Sequence, residues 1–104
     1  MKLLTKVLEK KLPNLYSTEK VKAEDKIAIV KFFTPFSNWS WYAVEYDPVT
    51  KVFFGLVFGV EKEWGYFGLD ELEECNKGVI PKIERDLYFE PTKVSDIIKS
   101  IGGM

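Results

Sequence analysis

Two groups of residues in this chain have the types and spacing for chemistry. The first is carboxylate-rich. Glu45 and Asp47 stand two apart in a run that reads as a strand, so their side chains share a face. Glu84, Asp86 and Glu90 do the same on a later run. If those strands lie side by side, Glu45, Asp47, Glu84 and Asp86 would gather a Mg²⁺ or Mn²⁺, as metal-assisted phosphoester cleavage requires. Alternating charge on a strand more commonly marks its solvated face, so the expectation is no metal and no cofactor.

The second group is aromatic. In Phe32-Phe33-Thr34-Pro35-Phe36-Ser37-Asn38-Trp39-Ser40-Trp41-Tyr42, seven of eleven residues are aromatic or Pro. Exposed rings would make a stacking platform for bases or a peptide groove, with Phe36, Asn38, Trp39, Trp41 and Tyr42 as the binding residues. The competing reading makes the rings the core of a small domain. It is favoured because stacking sites come with a basic groove, and only Lys31 is close by. Thr34, Ser37 and Asn38 read as turn and capping residues.

Several chemistries are excluded outright. There is no His, hence no Ser-His-Asp or Cys-His triad, no HExxH site and no imidazole base. The one Cys, Cys75, permits no intramolecular disulfide and no CxxC pair. Without a His or nearby Arg to lower its pKa, it reads as a small buried hydrophobe. Glu71, Glu73 and Glu74 read as the wet face of the same helix. No catalytic residue is assigned.

Arg85 is the single Arg among fifteen basic residues. In Ile83-Glu84-Arg85-Asp86-Leu87-Tyr88-Phe89, period 2 places it with Ile83, Leu87 and Phe89 on the apolar face. A buried guanidinium needs a carboxylate or several carbonyls. Glu45 shares the face of Trp39, Trp41 and Ala43 by the same count, so a structural Glu45–Arg85 ion pair is expected; the alternative is that Arg85 marks a strand edge and reaches out to grip an anionic ligand.

The elements that must position these groups follow from pattern. Thr5 caps a helix to Leu12 with Leu4, Val7, Leu8 and Leu12 on one stripe, and Pro13 stops it. Asn14–Lys26 is a polar connector. Strands are expected over Ile27–Phe33, Trp39–Tyr46, Val52–Val60, Trp64–Phe67 and Ile83–Phe89. Asp47-Pro48-Val49-Thr50 is a turn. Val52–Val60, apolar on both faces, reads as a central strand covered on both sides or as a flank for another chain, and Gly55 and Gly59 admit a close neighbour or a bulge. A helix is expected over Leu69–Asn76 with Leu69, Leu72 and Cys75 inward. Thr92 caps a last helix, Lys93–Ile101, ended by Gly102-Gly103. Short connections favour an antiparallel meander with two or three short helices against it, an α+β domain spanning 1–104.

At 104 residues, 46% apolar and 30% charged, the chain has material for one folded domain. A net charge of −1 excludes a strongly basic nucleic-acid coat protein or an acidic tail protein. Charge is uneven, however. Residues 1–26 hold seven Lys against four acids, and residues 61–90 nine acids against four bases. No stretch reaches the roughly 20 apolar residues of a membrane span. The N-terminal run is broken by Lys6, Glu9, Lys10 and Lys11, unlike a signal peptide. A cytoplasmic location and no membrane partner are expected.

The blocks Lys31-Phe32-Phe33-Thr34-Pro35, Asn38-Trp39-Ser40-Trp41-Tyr42, Glu45-Tyr46-Asp47-Pro48, Phe53-Phe54-Gly55-Leu56-Val57, Gly65-Tyr66-Phe67 and Glu84-Arg85-Asp86-Leu87-Tyr88-Phe89 resemble the small bacterial and phage family called domain of unknown function 2958. The resemblance runs from about Leu3 to Pro91. Gly68 departs from it, standing where the family tends to have a serine before Leu69-Asp70-Glu71. The resemblance implies cargo of plasmids, phages and integrative elements, beside DNA-processing or anti-restriction genes, and carries no catalytic residues. The expected function is therefore a non-catalytic accessory protein of a mobile element. It would bind a macromolecule of host or element, a protein in the first place with a nucleic acid left open, in a role such as anti-defence. A small divalent-metal phosphoesterase and a DNA-binding module, with the N-terminal Lys cluster as footprint, are the alternatives.

Overall fold

The computed structural model describes residues 2–78 and 82–101. Its elements are α1 (Lys6–Lys11), a 3₁₀ turn (Ala23–Asp25), β1 (Ile27–Ala28), β2 (Val30–Phe33), β3 (Ser40–Asp47), β4 (Val52–Phe58), β5 (Lys62–Gly68), α2 (Leu69–Glu74), β6 (Glu84–Arg85), β7 (Thr92–Lys93) and α3 (Val94–Ser100). Strands β5-β4-β3-β2-β6 form one sheet in that order, with every pair antiparallel, and β1 pairs with β7 in a separate two-stranded ribbon. This is the expected α+β meander, with β6 added beside β2.

The sheet is covered on both faces because β4 is apolar in both directions. Phe53 belongs to one buried cluster, with Leu3, Leu4, Leu12, Val30, Phe32, Ala43, Tyr46, Phe67, Leu69, Leu72 and Ile83. Leu56 belongs to the other, with Ala28, Tyr42, Val44, Val94 and Ile97. The N-terminal segment, α1 and α2 thus cover a first face, and α3 with the β1–β7 ribbon covers a second. Thr5 caps α1 as expected, its hydroxyl accepting from Leu8 N–H at 3.2 Å. Leu4 and Leu12 anchor the helix from either side, whereas Val7 stays exposed.

One irregularity sets the frame for everything near the site. Between Ala43 and Glu45 the β3–β4 register shifts: Ala43 pairs with Gly55, but Glu45 pairs with Phe54. Val44 is the extra residue of a β-bulge. Gly55 answers it from the neighbouring strand. A Cβ there would lie 1.9 Å from the Tyr42 carbonyl oxygen. Gly59 is constrained differently, since its Cβ would fall 2.4 Å from the Trp39 ring. Both glycines therefore admit a close neighbour.

Four local expectations are corrected. The run Ile27–Phe33 is not one strand: it breaks at Ile29, whose N–H bonds the Ala43 carbonyl at 2.8 Å, and its halves join different sheets. The run Ile83–Phe89 pairs only over Glu84–Arg85. After it, the Asp86 carboxylate accepts from Tyr88 N–H at 2.9 Å and closes a turn, leaving Leu87 and Tyr88 exposed. Cys75 is exposed, because α2 ends at Glu74 and Cys75 is its C-cap. Thr92 pairs in β7, and Lys93 takes the N-cap of α3 without a side-chain bond. The expected Gly102-Gly103 stop lies outside the described residues. Gly68 caps α2, at φ −95°, with the Glu71 carboxylate accepting from its N–H at 3.1 Å.

Two outcomes test this account. Gly55→Ala forces a methyl into a backbone carbonyl that cannot rotate away, and is expected to cost about 3 kcal/mol or more in denaturant unfolding. A loss under about 1 kcal/mol would contradict the close approach. The second concerns pH. Asp47 accepts from Val49 N–H and the Thr50 hydroxyl, each at 2.9 Å, and those bonds hold its carboxyl below the ordinary value of 3.8. A depressed carboxylate stabilises the fold fully above the unfolded value. That contribution is lost as pH falls through the lower folded one. Stability of the wild type is therefore expected to decline below about pH 4 more steeply than that of Asp47→Asn, and identical profiles would refute the turn's role.

Candidate functional site

The expected Glu45–Arg85 pair does not form, and the bulge is the reason. Arg85 pairs with Phe32, which pairs with Trp41, so Arg85 belongs to the first face. Glu45 pairs with Phe54, two residues from Leu56, and so belongs to the second. One inserted residue flips every side chain after it. Arg85 is held by carbonyls instead: its Nη1 donates to Leu3 O at 2.9 Å and, closer still, to Lys2 O.

Glu45 is buried, at 3% exposure, and its carboxylate closes the connector. Oε1 accepts from Tyr16 N–H at 2.7 Å, while Oε2 accepts from Thr18 N–H at 3.0 Å and closely from the Thr18 hydroxyl. Lys26 Nζ donates to the same hydroxyl at 2.9 Å. Tyr16 is held at φ 69°, a left-handed conformation costly for a bulky residue. Its ring faces Tyr66, whose phenol is pushed above its ordinary value, first by the hydrogen bond with Tyr16 and then by burial.

The other acids do not join Glu45. Asp47 is engaged by its turn and Asp86 by Tyr88 N–H. Among the described residues no group of three or more potential metal-ligating side chains gathers. The convergence that a phosphoesterase would need at Glu45, Asp47, Glu84 and Asp86 is not built. Glu90 lies beyond the short β6 and shares no strand face with Glu84.

The aromatic segment splits. Phe32 and Tyr42 are core, on opposite faces of the sheet. Trp39 and Trp41 stack on the first face with centroids 5.9 Å apart, and Trp39 is 41% exposed although it stands beside the core. The loop before them is tied by Thr34 N–H to Trp39 O at 3.1 Å, so Thr34 and Ser37 are turn residues as expected. The stacked pair forms one wall of a cleft of about 430 Å³, whose other walls include Phe67, Leu72, Cys75 and Ile83. Thr34 and Lys82 link that cleft to a hollow under Phe36, which is 80% exposed. Phe36, Trp39 and Trp41 thus border one continuous surface. Asn38 and Tyr42 do not join it and line a separate hollow with Phe58 and Gly59.

Pattern reading missed the far wall of the cleft. Asn76 builds it: Nδ2 donates to Ile83 O at 2.8 Å, and Oδ1 accepts from Lys82 N–H at 2.9 Å and Ile83 N–H at 2.8 Å. An Asn followed by Lys-Gly reads simply as a helix stop, so nothing local announces a clamp. Cys75, expected inward, faces the cleft mouth instead. Among the described residues no helix is long and apolar enough to cross a membrane.

Neither curated proteins nor solved structures yield a match to the chain. One family model does match, over residues 3–100, under the description "Protein of unknown function (DUF2958)". The blocks singled out in the sequence now have places: in β2, in the bulged β3, in β4 with its Gly55, in β5 and in β6. The chain therefore belongs to the DUF2958 family.

Proposed function

We propose that the protein is a non-catalytic accessory protein of a phage or plasmid, acting in the cytoplasm by binding another protein of host or element. The observation that carries the binding reading is the half-exposed Trp39, stacked on Trp41 at the mouth of an apolar cleft. A domain this small gains by burying its indoles, and large exposed apolar patches mark interaction sites. Trp is also enriched where binding energy concentrates. The genetic setting rests on the family resemblance alone, and blunting a host defence is a role such binding would serve. Glu71 on the cleft and a single base, Lys82, favour a protein over a nucleic acid there.

The test compares wild type with Trp39→Ala. The substitution removes a ring that is partly in solvent, so it should cost only about 1–2 kcal/mol and leave the protein folded. A protein retained by the immobilised wild type and lost with Trp39→Ala would bear the reading out. Equal retention by both would remove the cleft as the site. A micromolar Mg²⁺ or Mn²⁺ site in calorimetry, abolished by Asp86→Asn, would replace the reading with the phosphoesterase.

A further inference from the structure

The cleft has a smaller neighbour across the Trp39 ring. Trp39, Val57, Val60, Glu61 and Glu63 line an open hollow of about 140 Å³, well below the roughly 300–1,000 Å³ of a small-molecule site. That is room for one side chain. The lining is an indole, two valines and two exposed carboxylates, and among the described residues neither carboxylate enters an ion pair. Lys62, between the two acids, takes the alternate position on β5, paired with Phe58, and so belongs to the other face.

These groups match a long cationic side chain in each of its parts. The valines and the indole suit an aliphatic stem, and the carboxylates complement the charged head. We propose that this hollow takes a Lys or Arg side chain of the bound partner, which extends the binding reading above and rests on it. Trp39 is the wall common to hollow and cleft, so one segment serves both. In an extended segment, residues i and i+2 point to the same side about 7 Å apart. A segment lying across Trp39 in extended form would then carry a basic residue two positions from an apolar one, the basic residue beside Glu61 and Glu63 and the apolar one against Leu72 and Ile83. Glu61, Glu63 and Glu71 outnumber Lys82 on this surface and oppose a phosphate backbone.

The probe is an array of nine-residue peptides with a central Lys-Thr-Leu or Arg-Thr-Phe, against the same peptides with Ala or Glu in the basic position, beside a labelled 20-nucleotide DNA. The wild type should retain the basic peptides at least about tenfold better than the Ala ones, and the Glu ones least. The double variant Glu61→Lys/Glu63→Lys, both at exposed positions, should reverse the preference, and Trp39→Ala should abolish retention of all. Retention through the apolar residue with no charge preference would overturn the hollow's assignment and leave the cleft standing. Retention of no peptide, or of the DNA alone, would overturn both.

Discussion

The bulge at Val44 is the constraint on which the rest of the molecule turns. Without it, Glu45 would point into the first face among Phe32, Phe53 and Phe67, away from the connector donors that hold its buried carboxylate. With it, Glu45 reaches two backbone N–H groups and a hydroxyl of the connector, while Tyr46 drops back into the aromatic cluster, its ring centroid 4.5 Å from that of Phe53. The bulge needs the neighbouring backbone to come close, and only a residue without a Cβ permits that at Gly55. One extra residue thus settles which side chains face each helix layer and how the connector is held.

The connector has little apolar surface of its own, so its order must come from outside it. Glu45 supplies that order by accepting from Tyr16 and Thr18. Tyr46 N–H adds a bond to the Pro13 carbonyl at 2.9 Å. The bonds to the Glu45 carboxylate are charge-assisted, among the stronger ones in proteins, and hold Tyr16 in its left-handed conformation. At the other end of the same strand, Trp39 and Trp41 keep the parity set before the bulge, and so stay on the first face, where α2 stops short and the cleft opens.

Much of the architecture was legible in the sequence. Thr5 and Pro13 bracketed the first helix, the two-sided apolarity of Val52–Val60 pointed to a strand covered on both sides or flanking another chain, and Gly55 signalled a bulge or close neighbour. The Glu45–Arg85 expectation failed for a physical reason: period 2 holds only along an unbroken ladder, and nothing in Ala43-Val44-Glu45 marks where the ladder slips. The aromatic segment was read as core or as site; Phe32 and Tyr42 are buried while Trp39 stays half-exposed, because residues of one segment meet different surroundings. The cleft's far wall was illegible because Asn76 acts on Lys82 and Ile83 across the chain, through bonds that no spacing rule encodes.

The most direct test of this account is a double-mutant cycle on Glu45 and Arg85, read by denaturant unfolding. If the bulge puts them on opposite faces with separate partners, Glu45→Ala should cost about 3 kcal/mol by stranding the connector's donors. The two substitutions should then add within about 0.5 kcal/mol. A coupling above about 1 kcal/mol would mean that the two side chains meet, and that the strand runs unbroken through Val44.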